Sequence, residues 1–216
     1  MKVNRLPGEG RTRQGAPQLL RAGLLAMTGL AVALPAFAQE NQDLSPAQIV
    51  EALQGGGHVI FIRHASTESD YADQVDAVMG DCSTQRVLSE DGWDEAKDIG
   101  AGFELYGIPV GTVISSEYCR AWETADLAFG RYEKNADLNF VPADPYTEEQ
   151  MQTMRENIVP HLSKTPNSGN TVLVGHDDVF DAATGIYPEP QGVMYALVPG
   201  GDGTFEILGS IDPDEW

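Results

Sequence analysis

Short apolar runs alternate with amphipathic stretches from about residue 45 to residue 211. The run at residues 59–62 consists of β-branched and aromatic side chains without a break, which is typical of a strand buried on both faces of a parallel sheet. Similar runs predict three further strands at residues 110–115, 138–141 and 171–175. Two closing strands are predicted at residues 193–198 and 205–211, joined by a glycine-rich turn at residues 200–203.

Helix-capping residues stand at the start of four amphipathic stretches between these strands. The stretches begin after Ser45, after Ser89, after Ser115 or Ser116, and after Thr147. The second is expected to bury a stripe made of Trp93, Ala96, Ile99 and Phe103. The fourth is expected to bury Met151, Met154 and Ile158 and to bend or end at Pro160. Helices and strands that alternate in this way predict an α/β protein, a layered α/β/α domain with a mostly parallel central sheet.

The first 38 residues have the three parts of a secretory signal peptide. A region with five basic residues and one acid is combined with an apolar run at residues 22–34, and an Ala-x-Ala cleavage site follows at residues 36–38. A membrane anchor is the alternative, but this run is shorter than the roughly 20 residues that cross a bilayer. We therefore predict a signal peptide at residues 1–38 and one domain at residues 39–216. The mature protein is expected to be periplasmic or secreted, without stable membrane insertion after cleavage.

Loss of the signal peptide makes the chain more acidic. It removes five basic residues and one acid, which changes the formal charge from −20 to −24 and leaves eight Lys and Arg residues. A field of this sign repels nucleic acids and anionic membrane surfaces, so we expect neither as a partner. The same field repels phosphate esters, so any phosphate site has to be a local basic pocket.

Cys82 and Cys119 are the only cysteines of the chain. An even pair in an exported protein usually forms a disulfide, and two unpaired buried thiols are the alternative. No cluster of Cys and His residues has the spacing of metal ligands, so we expect neither a metal nor another cofactor.

Basic and imidazole side chains follow three of the predicted strands. Arg63 and His64 end the first strand, Arg120 lies in the first turn of the helix after the second strand, and His176 follows the fourth. Because parallel strands end at the same edge of a sheet, these four side chains can converge there. The helix start beside Arg120 adds N–H groups that suit an anion. For each residue taken singly, the alternative is an ordinary polar strand end or a helix-surface charge.

The stretches around these four positions resemble the three signatures of the histidine phosphatase (phosphoglycerate mutase-like) superfamily. They are Arg-His-Ala-Ser-Thr at residues 63–67, Ser-Ser-Glu-Tyr-Cys-Arg-Ala-Trp-Glu-Thr-Ala at residues 115–125, and Val-Leu-Val-Gly-His at residues 172–176. The resemblance spans about residues 58–211. The family motif has Gly where this chain has Ala65, a change that should leave the two functional side chains in place. Residues 81–86 and 88–90 resemble a small exported branch of the family.

The resemblance implies a covalent mechanism in which His64 attacks phosphorus and water then hydrolyses the phosphohistidine. An imidazole can attack only when the attacking nitrogen carries no proton. Arg63 and Arg120 would hold the phosphoryl oxygens with planar guanidinium groups, and His176 would donate a further hydrogen bond to the transferring group.

The general acid is less clearly marked in the sequence. One branch of the family places an Asp directly after the second His, and Asp177 occupies that position. Another branch supplies a Glu from the segment after the second Arg, where Asp144 and Glu148 are the nearest candidates. We choose Asp177, with capping of the following helix as its alternative role.

Together these features predict an exported phosphomonoesterase of the histidine acid phosphatase type that acts on a small or envelope-associated phosphate ester. One alternative is a non-catalytic anion-binding module, against which the complete set of two arginines and two histidines argues. A second alternative is a phosphoglycerate mutase-type phosphotransferase, which is disfavoured because glycolytic substrates are cytoplasmic. Residues 66–87 and 177–192 should determine specificity, and they contain no pattern that names the substrate.

Overall fold

Six strands form a single sheet in the computed structural model, which describes residues 44–68, 77–143 and 145–216. The strands are β1 (Val59–Arg63), β2 (Val110–Ser115), β3 (Glu133–Lys134), β4 (Asn170–Gly175), β5 (Met194–Gly201) and β6 (Thr204–Ile211). Their order across the sheet is β3-β2-β4-β1-β5-β6. The first four strands run parallel, and β5 and β6 are antiparallel to their neighbours. The predicted signal peptide and Asp144 lie outside the described residues.

Helices cover both faces of this sheet. They are α1 (Pro46–Gln54), α2 (Glu90–Leu105), α3 (Cys119–Phe129), α4 (Glu148–Leu162) and α5 (Asp177–Thr184). Side chains of α1, α2 and α3 pack on one face, where β1 contributes Ile60 and Ile62. Side chains of α4 and α5 pack on the other face, where β1 contributes Val59 and Phe61. The strand β1 is therefore buried on both sides, and the predicted layered α/β/α architecture is confirmed.

The prediction of a third strand at residues 138–141 is wrong. A short 3₁₀ turn occupies Ala136–Leu138, and the strand that pairs with β2 lies earlier, at Glu133–Lys134. The side chain of Asn135 accepts a hydrogen bond from the backbone N–H of Asp137, which favours a turn over an extended chain. Leu138 is fully buried, so its apolar character reflects core packing from an irregular segment.

The buried stripe of α2 differs from the prediction at one position. Ala96, Ile99 and Phe103 are buried as expected. Trp93, however, is 51% exposed, and the neighbouring Gly92 is buried instead. A Cβ atom at Gly92 would lie 1.8 Å from the carbonyl oxygen of Ser66. The helix therefore packs directly on the backbone that follows β1. The burial of such a glycine cannot be predicted from the pattern of hydrophobic residues.

The start of one helix differs from the prediction, and so does one of the two alternatives for Pro160, which was predicted to bend or to end its helix. The third helix begins at Cys119 instead of residue 117, and neither candidate serine caps it as its N-cap residue. Pro160 does not end α4, which continues to Leu162. The capping roles of Ser89 and Thr147 are confirmed, since their side chains accept from backbone N–H groups of the first turn. Within the described ranges, no helix combines the length and apolar character needed to cross a membrane.

Candidate active site

The structure brings Arg63, His64, Arg120 and His176 together at one edge of the sheet. The central strand β4 lies between β1 and β2, so the carboxyl ends of three parallel strands are neighbours there. Nε of Arg120 lies 3.0 Å from Nε2 of His64, and Nη2 of Arg120 lies 3.2 Å from Nδ1 of His176. All four side chains are buried, although each is polar. One arginine thus joins the two histidines that the sequence analysis places at the site.

The hydrogen bonds of His64 determine which ring nitrogen carries the proton. Its Nδ1 lies 2.9 Å from the carbonyl oxygen of Ala65, which can only accept, so Nδ1 is the donor. Its Nε2 faces Arg120, which can only donate, so Nε2 is the acceptor. The ring is therefore neutral, with the Nε2 lone pair directed into the cluster of basic side chains.

Burial and neighbouring charges both lower the pKa of His64 well below its ordinary value. Burial is the larger cause, because the charged imidazolium would lose its water, and the positive charge of Arg120 comes next. Arg63 and Arg86 add to the effect through their own charges. Three of the eight Lys and Arg residues beyond residue 38 thus help to keep this ring unprotonated.

The second histidine is held by a chain of hydrogen bonds behind it. Nδ1 of His176 accepts from Arg120, so Nε2 is the protonated nitrogen and donates to Oγ of Ser116 across 2.9 Å. The Ser116 hydroxyl in turn donates to Oδ1 of Asn139 at 2.7 Å. Burial and the charge of Arg120 also lower the pKa of His176 well below its ordinary value. Both histidines of the site are thus neutral.

The guanidinium of Arg120 is fixed on several sides. The aromatic rings of Tyr118 and Phe140 lie 5.4 and 5.3 Å from its central carbon, a distance suited to cation–π attraction. Its backbone carbonyl accepts from the hydroxyl of Thr124, and that hydroxyl accepts from the backbone N–H of Ala65. The start of α3 is therefore connected directly to the residue that follows His64.

Arg63 belongs to a second group of contacts beside the histidines. Its Nη2 forms an ion pair with Oδ2 of Asp177, and its Nη1 donates to the carbonyl oxygen of Pro188 at 2.8 Å. The ring of Tyr187 lies 5.6 Å from its central carbon. The hydroxyl of Tyr187 donates to the same oxygen of Asp177 across 2.7 Å. Arg63 thus connects the end of β1 to the start of α5 and to the loop after it.

The three candidates for the general acid have different surroundings. Asp177 lies at the cluster, bonded to Arg63, and its other oxygen accepts from the backbone N–H of Asp178. Glu148 is exposed in the first turn of α4. Asp144 is outside the described residues. Because Asp177 is in the first turn of α5 and accepts from a backbone N–H there, its predicted catalytic role and a helix-end role are both compatible with its position.

The polar loop at residues 77–88 is attached to the start of α3. Cys82 is joined to Cys119 by a disulfide. The side chain of Gln85, which is completely buried, accepts from the backbone N–H of Cys119 at 2.8 Å. Gln85 therefore satisfies one of the N–H groups that a helix leaves without a partner in its first turn. Covalent and hydrogen-bonded links thus hold this loop next to Arg120.

Sequence reasoning did not identify several residues that shape the site. One feature of the sequence pointed to Arg86. Only eight Lys and Arg residues lie beyond residue 38, so each of them is a candidate for an anion-binding site. Gln85 and Tyr187 lie in the segments predicted to determine specificity, residues 66–87 and 177–192, but no pattern marks them individually. Asn139 had no signal, because its contacts depend on how distant segments pack. No cluster of three or more His, Cys, Asp or Glu side chains is arranged to hold a metal ion in the part of the chain that the structure describes.

Comparison with solved structures identifies the fold. No protein-family model matches the sequence, and no curated protein matches it. The protein histidine phosphatase SixA in complex with tungstate has a TM-score of 0.54 at 13% identity, over 73% of this chain and 97% of that chain. A proposed alpha-ribazole-5'-P phosphatase from Escherichia coli gives 0.54 at 16%, over 73% and 98%. A structure described as mycobacterial hydrolase 1 gives 0.51 at 13%, over 70% and 96%.

At sequence identities of 13–16%, the structural similarity establishes the fold alone. The evidence for the chemistry is the arrangement of residues at the site. A six-stranded mixed sheet, mostly parallel and flanked by helices on both faces, is what this chain shares with those structures. The chain therefore has the histidine phosphatase fold.

Proposed function

We propose that this chain is an exported phosphomonoesterase that forms a phosphohistidine on His64. The observation that carries the proposal is the state of that ring. It is buried and neutral, and the lone pair of Nε2 points at the guanidinium of Arg120. A nucleophilic nitrogen beside a fixed cation is the arrangement that attack on a phosphate ester requires. The histidine phosphatase described above shares the fold, which supports the same chemistry.

In the proposed first step, Nε2 of His64 attacks phosphorus while the bond between phosphorus and the ester oxygen breaks. Arg63 and Arg120 bind the non-bridging oxygens, and in doing so Arg120 exchanges its contact with Nε2 for contacts with the phosphoryl group. The alcohol leaves with a proton that the monoanion of the ester brings and Asp177 relays, because Asp177 is a carboxylate paired with Arg63 before the substrate binds. His176 accepts from Arg120 and donates to Ser116, so in this structure it positions the guanidinium that binds the phosphoryl group.

In the proposed second step, water attacks the phosphohistidine. The water gives a proton to the carboxylate of Asp177, the bond between phosphorus and Nε2 breaks, and inorganic phosphate leaves. His64 returns to its neutral form, and Asp177 passes the proton to the departing phosphate and returns to the carboxylate, so the cycle closes without a metal or another cofactor. The contacts with Arg63 and Tyr187 hold the carboxylate of Asp177 beside the site before the substrate binds.

The location outside the cytoplasm is part of this proposal. It rests on the signal-peptide pattern at residues 1–38 and is supported by the disulfide between Cys82 and Cys119, since such bonds persist mainly in oxidising compartments. The proposed substrate is accordingly a small or envelope-associated phosphate ester.

An assay with an aryl phosphate, with and without EDTA, tests the proposal. The wild-type protein should release phosphate at the same rate in both cases, and His64→Ala should lose the activity. His58→Ala is the matched control, because His58 directly precedes β1, at the opposite end of that strand from the site, and the variant should retain activity. No turnover by the wild-type protein over a range of pH, or full turnover by His64→Ala, would contradict the proposal.

A further inference from the structure

Tyr187 is a half-exposed aromatic residue that contacts two members of the candidate site. Its side chain is 50% exposed, whereas Arg63, His64, Arg120 and His176 are all buried. The ring lies beside the guanidinium of Arg63, and its hydroxyl donates to Asp177. It therefore occupies the boundary between the buried cluster and solvent.

The loop that carries Tyr187 is fastened along the end of β1, so the position of the ring is fixed. The carbonyl oxygen of Pro188 accepts from Arg63, and the backbone N–H of Gly192 donates to the carbonyl oxygen of His64 at 3.1 Å. The side chain of Gln191 bonds to both the backbone N–H and the hydroxyl of Thr67. A ring held in this way can bind a ligand with little loss of side-chain freedom.

Tyr187 remains a hydrogen-bond donor across the physiological pH range. Burial raises the pKa of its hydroxyl to about 12, with the hydrogen bond to Asp177 and the negative charge of that group as further causes. The proton therefore stays on Tyr187, and the oxygen of Asp177 is the acceptor. Half of the tyrosine side chain remains accessible while its hydroxyl is engaged.

The path of the leaving group follows from these contacts. A general acid has to be within hydrogen-bond reach, about 3 Å, of the oxygen it protonates. If Asp177 protonates the ester oxygen, the carbon attached to that oxygen starts beside this carboxyl group. The hydroxyl of Tyr187 is 2.7 Å from the carboxyl group, so the next atoms of the leaving group are within van der Waals reach of the tyrosine ring.

We propose that Tyr187 is a specificity-determining residue whose exposed ring packs against the leaving group and favours phosphate esters of ring-bearing alcohols over esters of short open-chain alcohols. The inference rests on the phosphatase function proposed above, and it adds the class of substrate. Offset stacking between rings contributes about 0.5–1.5 kcal/mol beyond area burial, which corresponds to a preference of roughly two- to twelvefold.

Benzyl phosphate and propyl phosphate form a suitable pair of substrates, because both are esters of primary alcohols and they differ in the ring. The wild-type protein should prefer benzyl phosphate in kcat/KM. Tyr187→Leu removes the ring and should reduce the ratio of the two kcat/KM values by about two- to twelvefold, mainly through KM. Tyr187→Phe keeps the ring and should keep the ratio. Tyr106→Leu, an exposed tyrosine at the end of α2, is the control and should behave as wild type.

Inhibition of the wild-type protein by benzylphosphonate and propylphosphonate provides a second test that does not depend on the stability of a variant. Benzylphosphonate should bind more tightly by a similar factor. Equal inhibition by the two phosphonates, no preference of the wild-type enzyme, or an unchanged ratio in a folded Tyr187→Leu protein would each overturn the role of Tyr187. These results differ from a failure of the phosphatase proposal, in which neither ester is hydrolysed at all.

Discussion

Nε of Arg120 donates to Nε2 of His64 across 3.0 Å, and Nη2 of the same guanidinium donates to Nδ1 of His176. Because a guanidinium has no acceptor, both ring nitrogens that face it must carry lone pairs. One arginine therefore selects the neutral form of both histidines. The proposed nucleophile is ready to react without a separate base, and the charge that would bind phosphate is already beside it.

The neutral histidines predict a loss of stability in mild acid. An unfolded chain protonates a histidine near pH 6.5, whereas the folded protein lowers the pKa of His64 well below that value. Below about pH 6.5 the unfolded state therefore binds a proton that the folded state does not bind. The free energy of unfolding should fall as the pH decreases through this window, by up to about 1.4 kcal/mol per pH unit for one such histidine.

Urea unfolding at several pH values between 5 and 7.5, compared between the wild-type protein and His64→Gln, measures this contribution. The variant should show a smaller slope of unfolding free energy against pH, and His176→Gln should change the slope in the same direction. Glu95, whose pKa is raised by burial, titrates in the opposite sense, but it is common to all three proteins. Identical slopes in the three proteins would mean that the two histidines are not kept neutral in the folded state.

The role of Asp177 can be separated from a purely structural role by the choice of leaving group. Asp177→Asn keeps the shape of the side chain but cannot donate a carboxyl proton. Hydrolysis of an alkyl phosphate should decrease by about 10²–10⁴-fold, because its alcohol leaves poorly without a proton. The comparison is made in kcat/KM, which ends with loss of the alcohol and does not include the later hydrolysis of the phosphohistidine. In this quantity a nitrophenyl phosphate should be affected much less, since that leaving group needs little protonation.

Glu148→Gln is the matched control, since Glu148 is exposed at the start of α4. It should hydrolyse both esters at the wild-type rate. An equal decrease in kcat/KM for both esters in Asp177→Asn would assign to Asp177 the positioning of Arg63 instead of proton transfer to the alcohol. A negligible decrease for both would transfer the acid role to Asp144, Glu148 or another acid.

The disulfide between Cys82 and Cys119 should stabilise both the fold and the site. It closes a loop with a sequence separation of 37 residues, for which the chain-entropy model gives roughly 3–4 kcal/mol. Cys119 directly precedes Arg120, and the backbone N–H of Cys119 is bonded to Gln85 in the same loop. The double variant Cys82→Ser, Cys119→Ser should therefore unfold at a lower temperature and bind inorganic phosphate more weakly.

Reductant is the internal control for this prediction. It should lower the melting temperature of the wild-type protein and weaken inhibition by phosphate, but it should leave the double variant unchanged. Gln85→Ala should weaken inhibition by phosphate without a change in the response to reductant. Two free thiols in the protein purified from its native compartment would contradict the disulfide.

The four central residues could be located from the sequence because each one follows a strongly patterned element. Apolar runs identify β1 and β4, and parallel strands end at one edge, so Arg63, His64 and His176 had to lie together. The position of Arg120 follows from the same rule, because only a short connection separates the end of β2 from the start of α3. Errors in the outer parts of the fold did not affect this result, since the sheet edge depends on β1, β2 and β4 alone.

The surroundings of these residues could not be predicted, for two physical reasons. Gly92 is buried because α2 approaches the backbone at Ser66, and a close backbone contact leaves no hydrophobic signal. Asn139 and Tyr187 reach the site from irregular segments, whose course is set by tertiary packing instead of by a repeating pattern. Local periodicity therefore locates the reactive groups, while the residues that orient them depend on contacts between distant segments.

Trapping of a covalent intermediate on His64 distinguishes the proposed phosphohistidine mechanism from direct attack by water. A rapidly quenched reaction with an aryl phosphate carrying labelled phosphorus should leave one acid-labile, alkali-stable phosphoryl group on the protein, and peptide mapping should place it on His64. His64→Ala should carry no label, whereas Asp177→Asn should accumulate more label, because the proposed mechanism also uses Asp177 to activate the hydrolytic water. Hydrolysis of the ester by the wild-type protein with no labelled intermediate, or with label at a residue other than His64, would contradict the account.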